Sequence, residues 1–163
     1  MNAGCYGKEI KDKLISVMYL DLSNFEIFEK NIKNLNFSYR KGFQYKNTII
    51  LYGKFILQYG EQDLIKKLMK DYENMRNSSQ PQKVNCCGSI FKNPPGYNAW
   101  KLIKSSIDES FYKGPIKLSK KHSNFFENDP NINSDMIILF INQIRERVYK
   151  KYNINLEPEL EIK

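Results

Sequence analysis

Ser89 lies in the stretch CGSIFKNPPG, residues 87–96, where Gly88 frees the backbone before it and Asn93-Pro94-Pro95-Gly96 forces a rigid turn after it. A hydroxyl held between two constrained turns can serve as a nucleophile or as a proton donor. The nucleophilic role needs a base, and His122, in SKKHSNF, is the only histidine in the chain. There is no G-x-S-x-G elbow and no carboxylate beside His122 to orient it, which argues against a Ser-His hydrolase. Taken one at a time, each of these also reads as an ordinary turn or surface residue. The three cysteines, Cys5, Cys86 and Cys87, are odd in number and two are adjacent, a spacing that matches neither a disulfide framework nor a zinc site. They read as reduced packing residues, and no metal site is expected.

The elements that must position these groups belong to a chain of 163 residues, 41% of them hydrophobic, enough for one ordinary domain or two small ones. No run approaches the roughly 20 apolar residues of a membrane helix, and the first residues lack a secretory apolar core. A cytoplasmic protein without a membrane partner is expected. The net charge of +8 would suit a polyanion, but the lysines are scattered, with only short pairs such as Lys66-Lys67 and Lys150-Lys151. That pattern describes a lysine-rich surface better than a nucleic-acid face, so no nucleic-acid partner is expected.

LISVMYLDL and NTIILYGKFILQ carry the β-branched and aromatic residues of strands. From Glu61 the period changes: Leu64, Ile65, Leu68, Met69, Tyr72 and Met75 form the stripe of an amphipathic helix that ends near Arg76, and core packing is its expected role. NSSQPQKVN is a polar connection of the kind found at domain boundaries. Beyond it come a short strand at GSIF, a short helix at YNAWKLIKS, a strand at PIKLS, a helix over Ser134–Tyr152 and a terminal strand at EPELEI. Ser134 is the expected cap of that helix, Ile137, Ile138, Ile141, Ile144 and Val148 its buried side, and Asn153 its stop. The fold class is α+β.

CGSIFKNPPG, AWKLI, LSKKHSNFFEN and INQIRERVYKKYNINLEPELEI, preceded by MNAGCYGKEI, FSYRKGF and Gln80-Pro81, stand in an order that resembles the UDP-N-acetylenolpyruvoylglucosamine reductase family, also called UDP-N-acetylmuramate dehydrogenase. The resemblance extends over essentially the whole chain and is to the shorter subgroup, which lacks an inserted capping loop. It implies a remaining part of a VAO/PCMH-type FAD-binding domain over residues 1–77, a linker over 78–85 and a small α+β substrate-binding domain over 86–163. It further implies an oxidoreductase of peptidoglycan precursor synthesis with FAD and NADPH as cofactors and UDP-N-acetylglucosamine enolpyruvate as substrate. By the same resemblance Arg40, Ser89 and Glu159, rather than Glu157, are the catalytic residues. Asn2, Ala3, Gly4 and Tyr6 would lie against the cofactor, and Asn93 and His122 against the substrate.

Those roles agree with elementary chemistry. Hydride addition to an enolpyruvyl double bond leaves an enolate, which calls for a fixed cation such as Arg40 and a proton donor within hydrogen-bond reach, such as Ser89. Glu159 would polarise the developing charge if protonated, or position the donor.

The chain departs from the family pattern in having no glycine-rich loop for the cofactor diphosphate, and Pro115 replaces a glycine of a usual Gly-Gly pair. The expectation is a chain that is inactive alone, with a separately encoded N-terminal half as a potential partner and Met1 corresponding to an internal methionine of the family. The alternative is a non-catalytic basic module that binds a nucleotide-sugar or RNA through Lys92, Lys117 and Lys120.

Overall fold

The computed structural model describes residues 1–82 and 84–161. The chain divides into two compact units, Met1–Glu61 and the segment from Gln62 onward. In the first unit, β1 (Gly4–Cys5) and β2 (Lys8–Glu9) form a small antiparallel hairpin. Tyr6 and Gly7 turn it with φ of 49° and 76°, the left-handed pair that a tight two-residue turn requires. A three-stranded antiparallel sheet follows, ordered β4-β3-β5, with β3 (Leu14–Asp21) between β4 (Ile27–Asn31) and β5 (Thr48–Phe55). The two apolar runs legible in the sequence are therefore β3 and β5. The hairpin and β4 carry weaker patterns.

The first unit has a small core, in which Leu14, Val17 and Leu35 are buried and Ile32, Phe37 and Phe43 pack against them. Tyr19 extends it by stacking on Phe28 and Tyr45, with ring centroids 5.7 and 5.4 Å away. Lys30 lies over the Tyr45 ring and donates to its hydroxyl at 2.7 Å.

The second unit opens with α1 (Gln62–Ser79), which has the helical period its sequence announces but no buried residue. Leu64, Ile65, Leu68, Met69, Tyr72 and Met75 are all exposed, Met69 to 67%. The expectation that this stripe is core packing is thus overturned. Periodicity fixes which residues share a face, whereas burial depends on a covering layer that this unit does not provide.

The remaining elements are α2 (Ala99–Ser106), β6 (Ile116–Leu118), β7 (Phe126–Asn128) and α3 (Ser134–Tyr152). β6 and β7 pair antiparallel, and with α2 and α3 they enclose a core that includes Ile90, Phe91, Ile103, Leu118, Ile141, Ile144, Val148 and Leu156, each at most 1% exposed. At roughly 1.5–3 kcal/mol for each fully buried large apolar side chain, this cluster is the main source of the unit's stability.

Helix α3 begins and ends where the sequence places it. Its cap is Asn133, whose side chain accepts from the Met136 N–H at 2.9 Å, and not the expected Ser134. Asn153, with φ 54°, closes it in the left-handed conformation. Ile141, Ile144 and Val148 are buried, Ile137 and Ile138 only partly, and Phe140 joins the buried side.

Two expected strands are not formed as such. GSIF and EPELEI meet only in a single antiparallel bridge, Phe91 to Pro158. Pro158 stands at the non-hydrogen-bonded position of this bridge, where its missing N–H costs nothing, and the two bonds are made by the flanking residues, Lys92 N–H to the Glu157 carbonyl and Glu159 N–H to the Ile90 carbonyl. Ile162, the last residue of EPELEI, lies outside the described residues. Among the described residues no helix is long and apolar enough to cross a membrane.

Candidate active site

Ser89 precedes a segment whose backbone is held from both sides. On one side Asn124, 3% exposed, accepts from the Phe91 N–H with Oδ1 at 3.0 Å and donates from Nδ2 to the Phe91 carbonyl at 2.8 Å, while its own carbonyl accepts from the Ile90 N–H at 2.8 Å. On the other side the Lys92 N–H donates to the Glu157 carbonyl at 2.9 Å and the Glu159 N–H to the Ile90 carbonyl at 2.8 Å. Residues 90–92 are therefore clamped between the SNFF segment and the C-terminal segment, with the Ile90 and Phe91 side chains fixed in the core. Ser89 and Glu159 are brought to the same short stretch of paired backbone although 70 positions separate them in sequence. Arg145 braces the clamp, donating from Nε to the Leu156 carbonyl at 3.1 Å.

His122 and Asn93 belong to the same unit. The His122 ring lies edge-on to Phe125, 4.7 Å between centroids, and 6.2 Å from Trp100, and its Nδ1 accepts from the Asn124 N–H at 3.3 Å. Desolvation by this apolar surround lowers its pKa below the ordinary 6.5. A neutral ring is thereby favoured, with the proton on Nε2. Asn93 accepts from the Ala99 N–H at 2.9 Å and so anchors the first turn of α2, because the formal cap residue Asn98 makes no side-chain capping bond.

Arg40 belongs to the first unit. Ser38 and Lys41 exchange backbone hydrogen bonds of 2.9 and 3.0 Å, and Arg40 sits in the intervening turn with φ 55°, a left-handed conformation that costs a non-glycine residue of order 1–3 kcal/mol. The guanidinium lies 4.9 Å from the Tyr39 ring centroid, and its Nη1 lies 3.8 Å from where a Cβ on Gly4 would stand. The YR turn and the opening hairpin are thus one structure.

Asn2 ties this structure together. It is 2% exposed, donates from Nδ2 to Glu9 Oε2 at 2.9 Å and to the Ser38 carbonyl at 3.0 Å, and accepts from the Lys11 N–H at 3.0 Å. Ala3 gives its carbonyl to the Ile10 N–H, while Tyr6 is exposed at the hairpin tip. Gly42 is a further requirement: a Cβ there would stand 2.7 Å from the Met1 nitrogen and 2.9 Å from that of Asn2. Gly42 and Asn124 carry no chemical signal of their own in the sequence, although their places in YRKGF and HSNFF put both beside Arg40 and His122.

The described residues do not by themselves fit FAD. Among Asn2, Ala3, Gly4 and Tyr6, the Asn2 amide is committed inside the protein, and the left-handed glycines Gly7, Gly88, Gly96 and Gly114 are too dispersed to align consecutive N–H groups on a diphosphate. The cysteines are exposed and free, which corrects the expectation that they pack. Partial desolvation of the Cys87 sulfur raises its pKa to about 11, so it is a thiol at neutral pH. Of the lysines in the alternative reading, Lys92 is paired with Glu157 at 2.5 Å.

Comparison with known proteins bears on this geometry. Residues 80–163, just over half of the chain and the whole of the Ser89–Asn124–Glu159 clamp, match the family model described as "UDP-N-acetylenolpyruvoylglucosamine reductase, C-terminal domain". The chain is 39% identical over 163 residues to the UDP-N-acetylenolpyruvoylglucosamine reductase of Exiguobacterium sibiricum and 37% identical to that of Clostridioides difficile, in each case with 99% of this chain and 53% of the relative aligned. Its fold is similar to the crystal structure of the Thermus caldophilus reductase, with a TM-score of 0.80 and 25% identity over 99% of this chain and 57% of that one. The chain spans about half the length of the curated relatives it matches. With the domain model, the curated sequences and the solved fold all in agreement, the chain belongs to the UDP-N-acetylenolpyruvoylglucosamine reductase family, a family of oxidoreductases.

Proposed function

We propose that the chain supplies the substrate-side half of a UDP-N-acetylenolpyruvoylglucosamine reductase and acts on UDP-N-acetylglucosamine enolpyruvate to give UDP-N-acetylmuramate. The single observation that supports this best is the clamp at residues 90–92, which follows Ser89 directly and pairs with the backbone of Glu159 inside the matched domain. The domain assignment of residues 1–77 to a cofactor domain and 86–163 to a substrate domain is part of the same proposal.

The chemistry required of this chain concerns charge and a proton. FAD and NADPH would supply the hydride chemistry when bound, and the described residues build no diphosphate cradle for them. After hydride addition to the CH2 carbon, charge spreads from the adjacent carbon into the carboxylate. Arg40 would stabilise that enolate, its guanidinium matching a carboxylate in shape as well as charge. Ser89 would donate its hydroxyl proton to the same carbon, a transfer that depends on the serine being held in place. Glu159, one residue beyond the bridge, would orient or polarise the reacting group. Asn93 and His122 would shape the sugar-nucleotide side, Asn93 by anchoring α2 and His122 through its Nε2 proton.

By itself the chain is proposed not to bind FAD tightly and to be inactive. A purified chain with a stoichiometric visible flavin band would overturn that part. Activity is tested by assembling the chain with the part of the Exiguobacterium relative that lies outside the match, then adding FAD and NADPH. NADPH oxidation that depends on UDP-N-acetylglucosamine enolpyruvate is the expected result. A flavin-loaded assembly that shows no substrate-dependent oxidation would sink the assignment.

A further inference from the structure

Cys86 and Cys87 are consecutive, exposed and free, and they stand immediately before Gly88 and Ser89. They lie on a span between two fixed points. On one side the Asn85 carbonyl accepts from the Asn128 N–H at 3.2 Å, and on the other the Ile90 N–H donates to the Asn124 carbonyl at 2.8 Å. Residues 85–89 belong to no helix or strand. Gly88 takes φ 87°, and a Cβ there would meet nothing within 4 Å, so the backbone at this point faces open space. The Cys87 sulfur rests 3.8 Å from the Gly88 carbonyl, a weak contact with its own neighbour that can be given up without disturbing the core.

Two thiols on adjacent residues form a distinct chemical group. Once one of them has exchanged with a small disulfide, the other is always close enough to expel the adduct, without any rearrangement of the fold. The bond that results is strained. Across the trans peptide the two Cα atoms stand about 3.8 Å apart. That is nearer than the usual lower limit of about 4.4 Å for a disulfide, and such a bond is readily reduced again.

We propose that Cys86 and Cys87 are a reversible redox modification site, closed to a vicinal disulfide by exchange with a low-molecular-weight disulfide, and that closure repositions the backbone carrying Ser89. Cys87 is a thiol at neutral pH, because desolvation raises its pKa to about 11, so the first attack is assigned to Cys86. The Cys86 sulfur bonds to one half of the small disulfide, and the other half leaves as a thiolate that takes up the proton Cys86 has lost. The Cys87 sulfur, giving its proton to water, then attacks the Cys86 sulfur and releases the second half, which is protonated in turn. The protein loses two electrons and two protons, and the small disulfide becomes two thiols.

The closed ring fixes the peptide between Cys86 and Cys87. With the Asn85 carbonyl and the Ile90 N–H already held, the adjustment falls on Gly88 and Ser89. A serine that must be held in place to deliver a proton is sensitive to such a shift. This consequence rests on the proposed function in reading Ser89 as the proton donor, whereas the closure itself does not.

The test treats the full chain with glutathione disulfide, blocks remaining thiols and digests with trypsin, which releases residues 84–92 with both cysteines and leaves Cys5 on a separate peptide. The expected 84–92 peptide has lost two hydrogens, carries neither glutathione nor blocking group, and is restored by dithiothreitol. Cys86→Ser and Cys87→Ser should each retain one glutathione on this peptide instead. Two retained glutathiones, a bond to Cys5 or to a second chain, or no reaction at either thiol would overturn the site, and the unmodified chain decides this without any variant. In the closed chain the Gly88 and Ser89 amides should change their hydrogen exchange while those of Phe91 and Lys92 do not; unchanged exchange at Ser89 would overturn the coupling.

In the assembly that tests activity, closure should slow flavin reoxidation by substrate on the order of tenfold or more and leave flavin reduction by NADPH unchanged. The Cys86→Ser, Cys87→Ser double variant should show no such response. An active assembly that is indifferent to closure would also overturn the coupling to Ser89. An assembly inactive both before and after oxidation sinks the proposed activity and leaves the modification site standing, since mass and exchange read it without turnover.

Discussion

Asn124 spends both ends of its amide on the Phe91 backbone and so sets the position of Ser89 two residues earlier. Replacement by alanine leaves a buried N–H and a buried carbonyl without partners and should destabilise the second unit by roughly 2–3 kcal/mol, read as a lower urea midpoint. An unchanged midpoint would remove the clamp from the account. At Ser89 the expected loss is chemical. In the reconstituted assembly, Ser89→Ala should leave flavin reduction by NADPH unchanged and slow flavin reoxidation by substrate on the order of 10²- to 10⁴-fold, resolved by stopped-flow absorbance. Equal slowing of both half-reactions would show that the serine does not serve as the proton donor. Arg40 illustrates a different principle, because a left-handed arginine is tolerated only where the surrounding structure over-determines it, and here the Ser38–Lys41 pairing does so.

At the scale of elements, α3 carries the clearest local signals and permits a direct test of its ends. Asn133→Ala should cost about 1 kcal/mol through loss of the bond to Met136, whereas Ser134→Ala should cost little. Equal effects would restore Ser134 as the cap. Asn153→Gly should be neutral or slightly stabilising, since glycine meets φ 54° without a Cβ penalty. α1 and β5 form a contrasting pair of elements: each has the periodicity or composition of a buried element, yet each is exposed within its own unit. Regular hydrophobic patterning shows what an element is built to contact, and the contact itself belongs to another segment.

At the scale of the whole chain, stability should depend on pH through His122. Its folded-state pKa lies below the ordinary 6.5 because burial disfavours the imidazolium, so the unfolded chain binds the proton more tightly. The contribution of the neutral ring is fully present above about pH 6.5 and is lost as pH falls from 6.5 through the folded-state value. Urea midpoints at pH 7.5 and 5 should therefore differ more for the unmodified chain than for His122→Gln. Identical differences would mean that the ring titrates no differently folded and unfolded.

The sequence by itself determined what local patterning and motif order can encode: strands β3 and β5, helices α2 and α3, the stop at Asn153, and a series of motifs specific enough to indicate the family later matched. Only the tertiary structure decided which patterned faces are covered, and it overturned the expected burial of the α1 stripe. It also replaced two expected strands with one Phe91–Pro158 bridge, exposed the cysteines, moved the α3 cap to Asn133, and revealed Asn124 as the support of the segment after Ser89 and Gly42 as the residue that admits the Met1–Asn2 backbone. The physical reason is separation along the chain. Asn124 reaches Phe91 across 33 positions and Gly42 meets the backbone of Met1 and Asn2 across 41 and 40, and neither pairing leaves a periodic trace in the residues between.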